Sequence, residues 1–284
     1  MTPVCGRFTL YDSPDQLARF FAARMDDGAA VDYRPSWNIA PTRTVLAVVA
    51  RGDAAAPPTR ELRSFRWGLV PSWAKDLTIG NKLFNARAET VPDKPAFRSA
   101  FRRRRCLVIA DGFYEWGRPG EPSGNKLPYY FRRCDGNLLT FAGLWESWQP
   151  PGQPGADPPI RTCTVITTSA NHDVEDIHDR MPVIVERYDW DEWLDPGIGD
   201  ARHLTRLLVP VPASTLTRHP VDPAVNSSRN DNERLIRPYT DNDDQPATAS
   251  DDFQPVAAGR TVRVPEAPLE QSTLPGAQVK RATT

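Results

Sequence analysis

Short runs of hydrophobic and β-branched residues, separated by residues that favour turns, make up most of the chain. Each run is roughly four to eight residues long, the usual length of a strand, and Gly, Pro, Asn or Asp residues lie between the runs. Strands are predicted over residues 44–50, 62–69, 106–110, 129–132, 138–144, 162–168 and 216–221. The polar segment 36–41, which ends in a proline, is predicted to be a loop.

Helical spacing is confined to a few short segments. Leu17, Phe20 and Phe21 recur at i, i+3 and i+4 behind Ser13-Pro14, a pair that favours a helix start. This helix is predicted to end near residues 25–28. Further short helices are predicted over residues 96–105, 190–194 and 201–208.

The helix predicted over residues 96–105 is strongly basic. Its apolar side is formed by Phe97 and Phe101, and its outward side carries arginines at positions 98, 102, 103, 104 and 105. A basic run on a helix is typical of a solvated face, and a binding surface is the alternative.

The composition is that of a globular protein followed by a polar tail. Hydrophobic residues make up 39% of the 284 residues and charged residues 25%, which is compatible with a packed core. After Phe253 no aromatic residue occurs, and Asp, Pro, Ala, Gln and Thr dominate the end of the chain. We therefore predict a disordered tail over residues 241–284, one domain over residues 5–240, and a short N-terminal extension over residues 1–4.

Cysteine usage, hydropathy and charge restrict the classes of function. The four cysteines, Cys5, Cys106, Cys134 and Cys163, form no CxxC pair and no zinc-site spacing, so we expect a reduced, cytoplasmic protein without a metal. No apolar run reaches the ~18 residues of a membrane span, and no phosphate-binding GxxxxGK[ST] loop predicts a nucleotide cofactor. The net charge of −1 permits a local basic groove but does not indicate one.

Cys5 is the first residue with distinctive chemistry. A cysteine at a chain terminus carries a thiol and an α-amine on one Cα, with ordinary pKa values of about 8.5 and 7.7–8.0. Such a pair condenses with an aldehyde to a Schiff base, and the thiol can then close a thiazolidine ring. The alternative is a small buried thiol in a first strand.

Two further side chains are suited to proton transfer. Glu115 lies among aromatic residues in the segment GFYEW, where desolvation would raise its pKa toward neutrality. His178 lies between Asp176 and Asp179 and shortly before the cation Arg180, and histidine titrates near physiological pH. A surface-facing glutamate and a structural histidine are the alternatives.

Six segments together resemble a known family. They are CGRF at Cys5, WNIAP at Trp37, VPSWAKD at Val70, NARAET at Asn85, GFYEW at Gly112 and IHDRMP at Ile177. Each motif is weak alone, but in this order and spacing they resemble the SOS response-associated peptidase family, the abasic site processing proteins, from about Cys5 to Arg237.

The resemblance implies an α+β fold, a single mixed and mostly β domain with a barrel-like sheet flanked by helices. It implies a monomer whose positively lined groove takes single-stranded DNA containing abasic sites. The family cysteine forms a thiazolidine with the ring-opened sugar, which shields the lesion from cleavage and error-prone bypass. The family was named for a predicted autoproteolysis that frees the cysteine amine. A bacterial cytoplasmic protein, associated with the nucleoid during repair and without a cofactor, is expected.

The resemblance also implies roles for individual residues. Cys5 would be the nucleophile, Asn85 would hold the sugar or amine, Glu115 would be the general acid and base, and His178 would shuttle protons. Contacts to DNA would come from Arg7, Arg87 and Arg180 on phosphates, from Trp73 on a base, and from Asn38 and Thr167 in the pocket lining.

The N-terminus departs from the family pattern. The family cysteine is residue 2, whereas Met1-Thr2-Pro3-Val4 precede Cys5 here, and an amide nitrogen cannot form a Schiff base. Either the chain removes four residues itself, or translation starts at position 4, since a GTG codon for valine also serves as a bacterial start. We favour the second explanation.

Three functions compete at this point. The first is covalent capture of abasic sites in single-stranded DNA, with slow strand-cleaving lyase activity through the same Schiff base. The second is a cysteine hydrolase that cleaves an amide or peptide in trans, with Cys5 as nucleophile and His178 as base. The third is a non-catalytic single-strand binder that uses Trp73 and arginines.

Overall fold

The structure is a computed structural model that describes residues 5–26, 28, 33–51, 59–117, 126–152 and 159–239. The predicted extension over residues 1–4 and the predicted tail over residues 241–284 lie outside the described residues. Among those described, no helix has the length and hydropathy of a membrane span.

Strands dominate the described part of the chain. They are β1 (Phe8–Leu10), β2 (Arg24–Met25), β3 (Ser36–Ile39), β4 (Thr44–Arg51), β5 (Thr59–Trp67), β6 (Asn85–Arg87), β7 (Arg105–Ala110), β8 (Gly112–Gly117), β9 (Leu127–Arg133), β10 (Leu139–Trp148), β11 (Ile160–Ser169), β12 (Arg180–Pro182) and β13 (Leu216–Pro220). The α-helices are α1 (Pro14–Phe21), α2 (Arg98–Arg103), α3 (Trp190–Leu194) and α4 (Ala201–Thr205). Short 3-10 helices cover Leu77–Lys82, Arg187–Asp189, Pro223–Asn226 and Glu233–Ile236.

The larger sheet closes on itself into a small barrel. Strands β11, β10, β7, β4 and β5 are neighbours in that order and pair antiparallel. The ring is closed by a parallel pairing of β5 with β11, in which Arg66 lies opposite Thr162 and Trp67 opposite Cys163. Closure pairs strand edges that would otherwise be open. Strands β2, β6 and β12 attach to this ring.

The smaller sheet packs aromatic side chains against the barrel. Its strand order is β13-β9-β8-β1-β3, with antiparallel pairing throughout. Phe113 of β8 stacks on Phe131 of β9 at 5.0 Å between ring centroids. Phe8 and Phe113 both meet the ring of Phe141 on β10 edge-on, at 5.9 and 6.1 Å. The observed architecture confirms the predicted mostly β α+β fold with a barrel-like sheet flanked by helices.

Several local predictions differ from the structure. The helices predicted over residues 96–105 and 201–208 are shorter and cover Arg98–Arg103 and Ala201–Thr205. Residues 36–39 form β3 instead of a loop, because pairing with β1 satisfies their backbone groups. Helix α1 begins at the predicted cap but ends at Phe21, since Ala22 adopts the left-handed conformation (φ 49°) and caps it. Arg105 is not on an outward helical face. It is buried on β7 and donates to the carbonyls of Phe101, Trp193 and Asp195.

The turn between β11 and β12, residues 171–178, is fixed by polar contacts to β13. The Asp173 carboxylate accepts from the backbone N–H groups of Ser214 and Leu216, at 2.8 and 3.0 Å. The Arg218 guanidinium donates to both carboxylate oxygens of Asp176 at 2.5 Å. Charged bidentate pairs of this kind hold geometry well, so the turn presents His178 from a defined position.

Gly117, at the end of β8, allows this turn to approach the smaller sheet. A Cβ at position 117 would lie 2.7 Å from Cγ2, 2.8 Å from Cα and 2.9 Å from the carbonyl oxygen of Ile177. Backbone atoms cannot move aside as a flexible side chain can, so only glycine fits between the strand and the turn.

We predict that Gly117→Ala lowers the free energy of unfolding by about 1–3 kcal/mol, the usual cost of overpacking. The matched control is Gly199→Ala, whose added Cβ would find only the Arg102 carbonyl oxygen at 3.8 Å. Its effect should stay within about 0.5 kcal/mol. Urea unfolding of both variants checks this, and equal effects would contradict the proposed close approach.

Candidate active site

A buried hydrogen bond joins Cys5 to Glu115 at the junction of β1 and β8. The pairing of Phe8 with Phe113, continued by the bond from Tyr114 N to the Arg7 carbonyl at 2.9 Å, brings Glu115 beside the start of β1. There the backbone nitrogen of Cys5 donates to Glu115 Oε1 at 2.5 Å. Cys5 has no solvent exposure and Glu115 has 2%. The structure therefore places a carboxyl group directly at the nitrogen that the predicted chemistry uses.

Burial changes the proton affinity of the Glu115 carboxyl. Desolvation raises its pKa from 4.5 to about 8, although the hydrogen bond from Cys5 and the Lys126 ammonium both lower it. The carboxyl group is therefore mostly protonated at pH 7 and exchanges its proton near neutrality. A group with these properties can act as acid in one step and as base in the next.

The Cys5 thiol is held in its neutral form. Burial raises the pKa of the thiol well above its ordinary value, and the nearby Glu115 carboxylate adds to the shift. The residue also has a backbone φ of 43°, a conformation that costs non-glycine residues free energy and is concentrated at functional sites. A thiol in this state needs a partner to accept its proton before it can act as a nucleophile.

His178 is neutral near pH 7. Burial lowers the pKa of its imidazole below 6.5, against the opposing effect of Asp179, whose side chain is 87% exposed. The Arg180 backbone N–H donates to His178 Nδ1 at 3.1 Å, and the same nitrogen lies 2.9 Å from Asp179 Oδ1. The Lys126 ammonium lowers the pKa of both His178 and Glu115. The two side chains therefore belong to one electrostatic environment.

Arg180 links the histidine to the rim of the barrel. Its guanidinium donates to both carboxylate oxygens of Glu89 at 3.0 Å and to the Thr167 carbonyl at 2.6 Å. Arg87 lies opposite Thr167 in the pairing of β6 with β11, and the charges of Arg87 and Arg180 both lower the pKa of Glu89. Arg180 is thus already engaged in a network that holds Thr167 and Glu89.

An open cleft of about 710 Å³ lies along β6. Its lining combines three cationic side chains with an amide and an apolar wall. The lining residues are Trp73, Lys82, Leu83, Asn85, Ala86, Arg87, Lys94, Pro95, Ala96 and Phe97. Trp73 is 60% exposed, which is unusual for so large an apolar surface. Exposed aromatic and cationic groups in one cleft are the combination that binds single-stranded nucleic acid.

Arg7 and Asn38 have structural partners. Arg7 donates to Asn38 Oδ1 at 2.7 Å, and the Asn38 amide donates to the carbonyls of Val225, Ser227 and Asn230 at 3.2, 3.0 and 2.7 Å. Asn38 therefore uses both ends of its side chain to hold the loop after β13. A DNA contact by either residue stays a prediction.

The structure thus divides the predicted site residues into groups. The first group is the direct contact of Cys5 with Glu115. The second is formed by Arg180, which is hydrogen-bonded to His178 and to Thr167. The third lines the cleft and consists of Asn85, Arg87 and Trp73. Arg7 and Asn38 form a separate clamp.

The sequence analysis assigns no role to four residues that the structure places in the cleft or in contact with site residues. They are Lys82, Lys94, Glu89 and Lys126. Glu89 lies inside the motif NARAET, so that motif carried a signal for it. The lysines carried none. Among the described residues, no group of three or more His, Cys, Asp or Glu side chains could hold a metal ion.

The fold and the site together define a barrel protein that has a buried cysteine–carboxyl pair and a cationic cleft. A profile described as SOS response associated peptidase (SRAP) matches residues 4–228. The chain belongs to this family.

Relatives with assigned names cover most of the chain. Abasic site processing protein YoqW of Bacillus subtilis (strain 168) is 40% identical over 238 residues, which is 83% of this chain and 100% of that protein. Abasic site processing protein HMCES of Gallus gallus is 35% identical, covering 83% of this chain and 78% of that protein.

Solved structures show the same architecture. A crystal structure of a protein from Bacteroides thetaiotaomicron matches with a TM-score of 0.71 at 21% identity, over 83% of this chain and 100% of that one. A protein from Bordetella bronchiseptica matches with a TM-score of 0.61 at 26% identity, over 77% and 100%. The first likeness bears on the fold alone.

The raised pKa of Glu115 predicts a pH-dependent stability. Between pH 4.5 and 8 the folded protein holds a proton that the unfolded chain has lost, so the free energy of unfolding falls as pH rises through this window. Between these two pH values the free energy of unfolding of the wild-type protein should fall by several kcal/mol, at most about 5, relative to that of Glu115→Gln. The measurement is urea unfolding of both proteins, with the Val4–Cys5 bond intact, at several pH values. If the difference in the free energy of unfolding between the two proteins does not vary with pH, the raised pKa of Glu115 is contradicted.

Proposed function

We propose that this protein recognises abasic sites in single-stranded DNA and captures the ring-opened sugar covalently through Cys5. The observation that carries the proposal is the 2.5 Å contact between the Cys5 nitrogen and the buried Glu115 carboxyl. Support comes from membership of the family and from relatives whose names state abasic site processing. The reactive aldehyde of an open abasic sugar is the electrophile that an amine and a thiol on one Cα can trap.

The reaction requires the α-amine of Cys5 to be free. In the sequence this nitrogen belongs to the Val4–Cys5 peptide bond, whose lone pair is delocalised into the carbonyl. The active form therefore begins at Cys5. If the bond is hydrolysed by the protein itself, water adds to the Val4 carbonyl and Glu115 can supply the proton that the departing nitrogen needs.

Capture then follows in steps that Glu115 can serve. The amine attacks C1′ of the aldehyde to give a carbinolamine, whose hydroxyl leaves as water when it is protonated, and an imine results. The Cys5 thiol adds to the imine carbon, its proton moves to the nitrogen, and a thiazolidine closes with the net loss of one water. Glu115 donates in the dehydration and accepts from the thiol. His178 serves sugar opening and the reverse reaction.

The cleft supplies binding and orientation. Trp73 stacks beside a base, typically for about 1–3 kcal/mol, while Arg87 and Lys82 neutralise phosphates. Asn85 lies in the same cleft on β6, where its amide can hold the sugar. Arg180 acts through its bidentate contact with Glu89. The imine also permits loss of the 3′ phosphate by β-elimination, so slow strand cleavage is part of the proposal.

The geometry favours capture over a cysteine hydrolase that acts in trans. A hydrolytic cysteine is activated by a lowered thiol pKa or an adjacent imidazole base. The pKa of the Cys5 thiol is raised, and the polar partner of the residue is Glu115.

We predict that wild-type protein gains the mass of a whole oligonucleotide when it is incubated with single-stranded DNA that carries one abasic site. Cys5→Ala should give no adduct, and Glu115→Gln should form it about 10²-fold more slowly or worse, because general acid–base catalysis is removed. Intact-mass spectrometry over time measures both. The matched control is Cys134→Ala, since Cys134 is an exposed cysteine outside the site. An adduct at the wild-type rate in Cys5→Ala would refute the proposal.

A further inference from the structure

The basic run after the cleft divides into two kinds of arginine. Arg104 donates to Glu146 Oε1 at 2.5 Å, and Arg105 is buried against backbone carbonyls. Arg98, Arg102 and Arg103 are exposed, and within the described residues none of them forms an ion pair with a carboxylate. Three guanidinium groups on α2 are therefore available to a partner in solution.

Two of these arginines continue a row that starts inside the cleft. The helical turn before α2 begins at Lys94, whose carbonyl accepts from the N–H of Arg98 at 2.9 Å. Lys94, Arg98 and Arg102 are spaced at i, i+4 and i+8, so they share one helical face and recur about every 6 Å along it. Lys94 also lines the cleft. The row therefore leads out of the cleft and along the surface, and we call it the α2 stripe.

Packing holds the stripe in place. Ala100 and Phe101, which lie on α2 away from the stripe, are completely buried. Phe101 packs on Trp193 of α3 with ring centroids 6.2 Å apart, and Arg105 ties the end of α2 to α3 through the Trp193 carbonyl at 2.5 Å. A row of cations on a fixed helix loses less conformational freedom on binding than cations on a loop.

The evenly spaced cations of the α2 stripe are suited to a partner whose negative charges are also evenly spaced. A compact anion would need cations that converge on one point, whereas the α2 stripe extends along the helix. A phosphodiester chain carries one charge at each nucleotide and binds through successive cation–phosphate contacts. The stripe begins in the cleft assigned to single-stranded DNA, so the same strand can reach it.

We propose that the α2 stripe binds the phosphodiester backbone of the DNA strand that flanks the abasic site, so that the bound strand leaves the cleft along α2. This inference rests on the proposed function and extends it. Because a strand has polarity and the stripe has one direction, the stripe engages the flank on only one side of the lesion.

The test separates non-covalent binding from capture. The probes are single-stranded oligonucleotides with one tetrahydrofuran abasic analogue, which has no aldehyde, and with a long flank on the 5′ side, the 3′ side or neither. The variants are Arg98→Gln/Arg102→Gln and the matched double variant Arg19→Gln/Arg24→Gln. The latter removes the same charge at two exposed arginines of α1 and β2. Kd is measured by fluorescence anisotropy against salt concentration, and thermal unfolding checks that each variant is folded.

For one flank polarity, the stripe variant should raise Kd about 2- to 30-fold, the range for two exposed ion pairs. The slope of log Kd against log salt should fall by about 1.4, since each phosphate of a single strand that is no longer neutralised accounts for about 0.7. The probe without a flank and the Arg19/Arg24 variant should change little.

Equal weakening of binding in both double variants, or for all three probes, would overturn the inference, since general charge would then explain binding. An unchanged Kd on both flanked probes would overturn it as well. In those cases the proposed function stands if the stripe variant still forms the full covalent adduct with an abasic oligonucleotide at saturating concentration. Failure of wild-type protein to form any adduct would reject the proposed function itself.

Discussion

The hydrogen bond between the Cys5 nitrogen and the Glu115 carboxyl is the constraint on which the site depends. Both groups are buried, and a buried carboxyl group is stable only when it is neutral or well partnered. The small sheet meets this requirement by bringing the start of β1 beside β8, so that the nitrogen faces Oε1 at 2.5 Å. The same burial raises the pKa of Glu115 to about 8, so this carboxyl group can exchange a proton near neutral pH.

The barrel fixes the positions of the cleft residues and of the turn that carries His178. Parallel pairing of β6 with β11 sets Arg87 opposite Thr167, and the pairing of β12 with β11 sets Arg180 opposite Ser169. The turn that carries His178 is pinned to β13 through Asp173 and Asp176. These interactions come from distant parts of the chain, and their common effect is that the cleft, the histidine and the cysteine pair have fixed relative positions within one packed structure.

Much of the fold follows from local patterns in the sequence, and the rest does not. The β-branched run at residues 44–50 and the capped start at Ser13 predicted β4 and α1, since each signal lies within one short window. Strand β3 was missed because its pairing with β1 decides its conformation. Arg105 was misplaced because its three carbonyl partners come from α2 and from residues 193 and 195, interactions that helical periodicity cannot show.

The residues of the candidate site also fall into those that the sequence predicts and those that only the folded structure identifies. Aromatic neighbours in GFYEW indicated a desolvated Glu115, and the structure agrees. The chemistry open to Cys5 follows from a thiol and an α-amine on one Cα, but only the resemblance of six motifs favours that chemistry over a buried structural thiol. The clamp formed by Arg7 and Asn38, the network of Glu89 with Arg180, and the positions of Lys82 and Lys94 in the cleft depend on segments far apart in sequence. Single-residue chemistry identifies candidates, but only the packed structure shows which of them already have partners.

The most direct test of the account is to locate the DNA adduct on the chain. The captured complex is digested with protease and nuclease, and tandem mass spectrometry identifies the residue that carries the sugar remnant. The account predicts a remnant bonded to both nitrogen and sulfur of Cys5, at the N-terminus of its peptide. A remnant on Lys126, Lys82 or another lysine, with Cys5 unmodified and still joined to Val4, would contradict the assignment of the Cys5–Glu115 pair as the reactive centre.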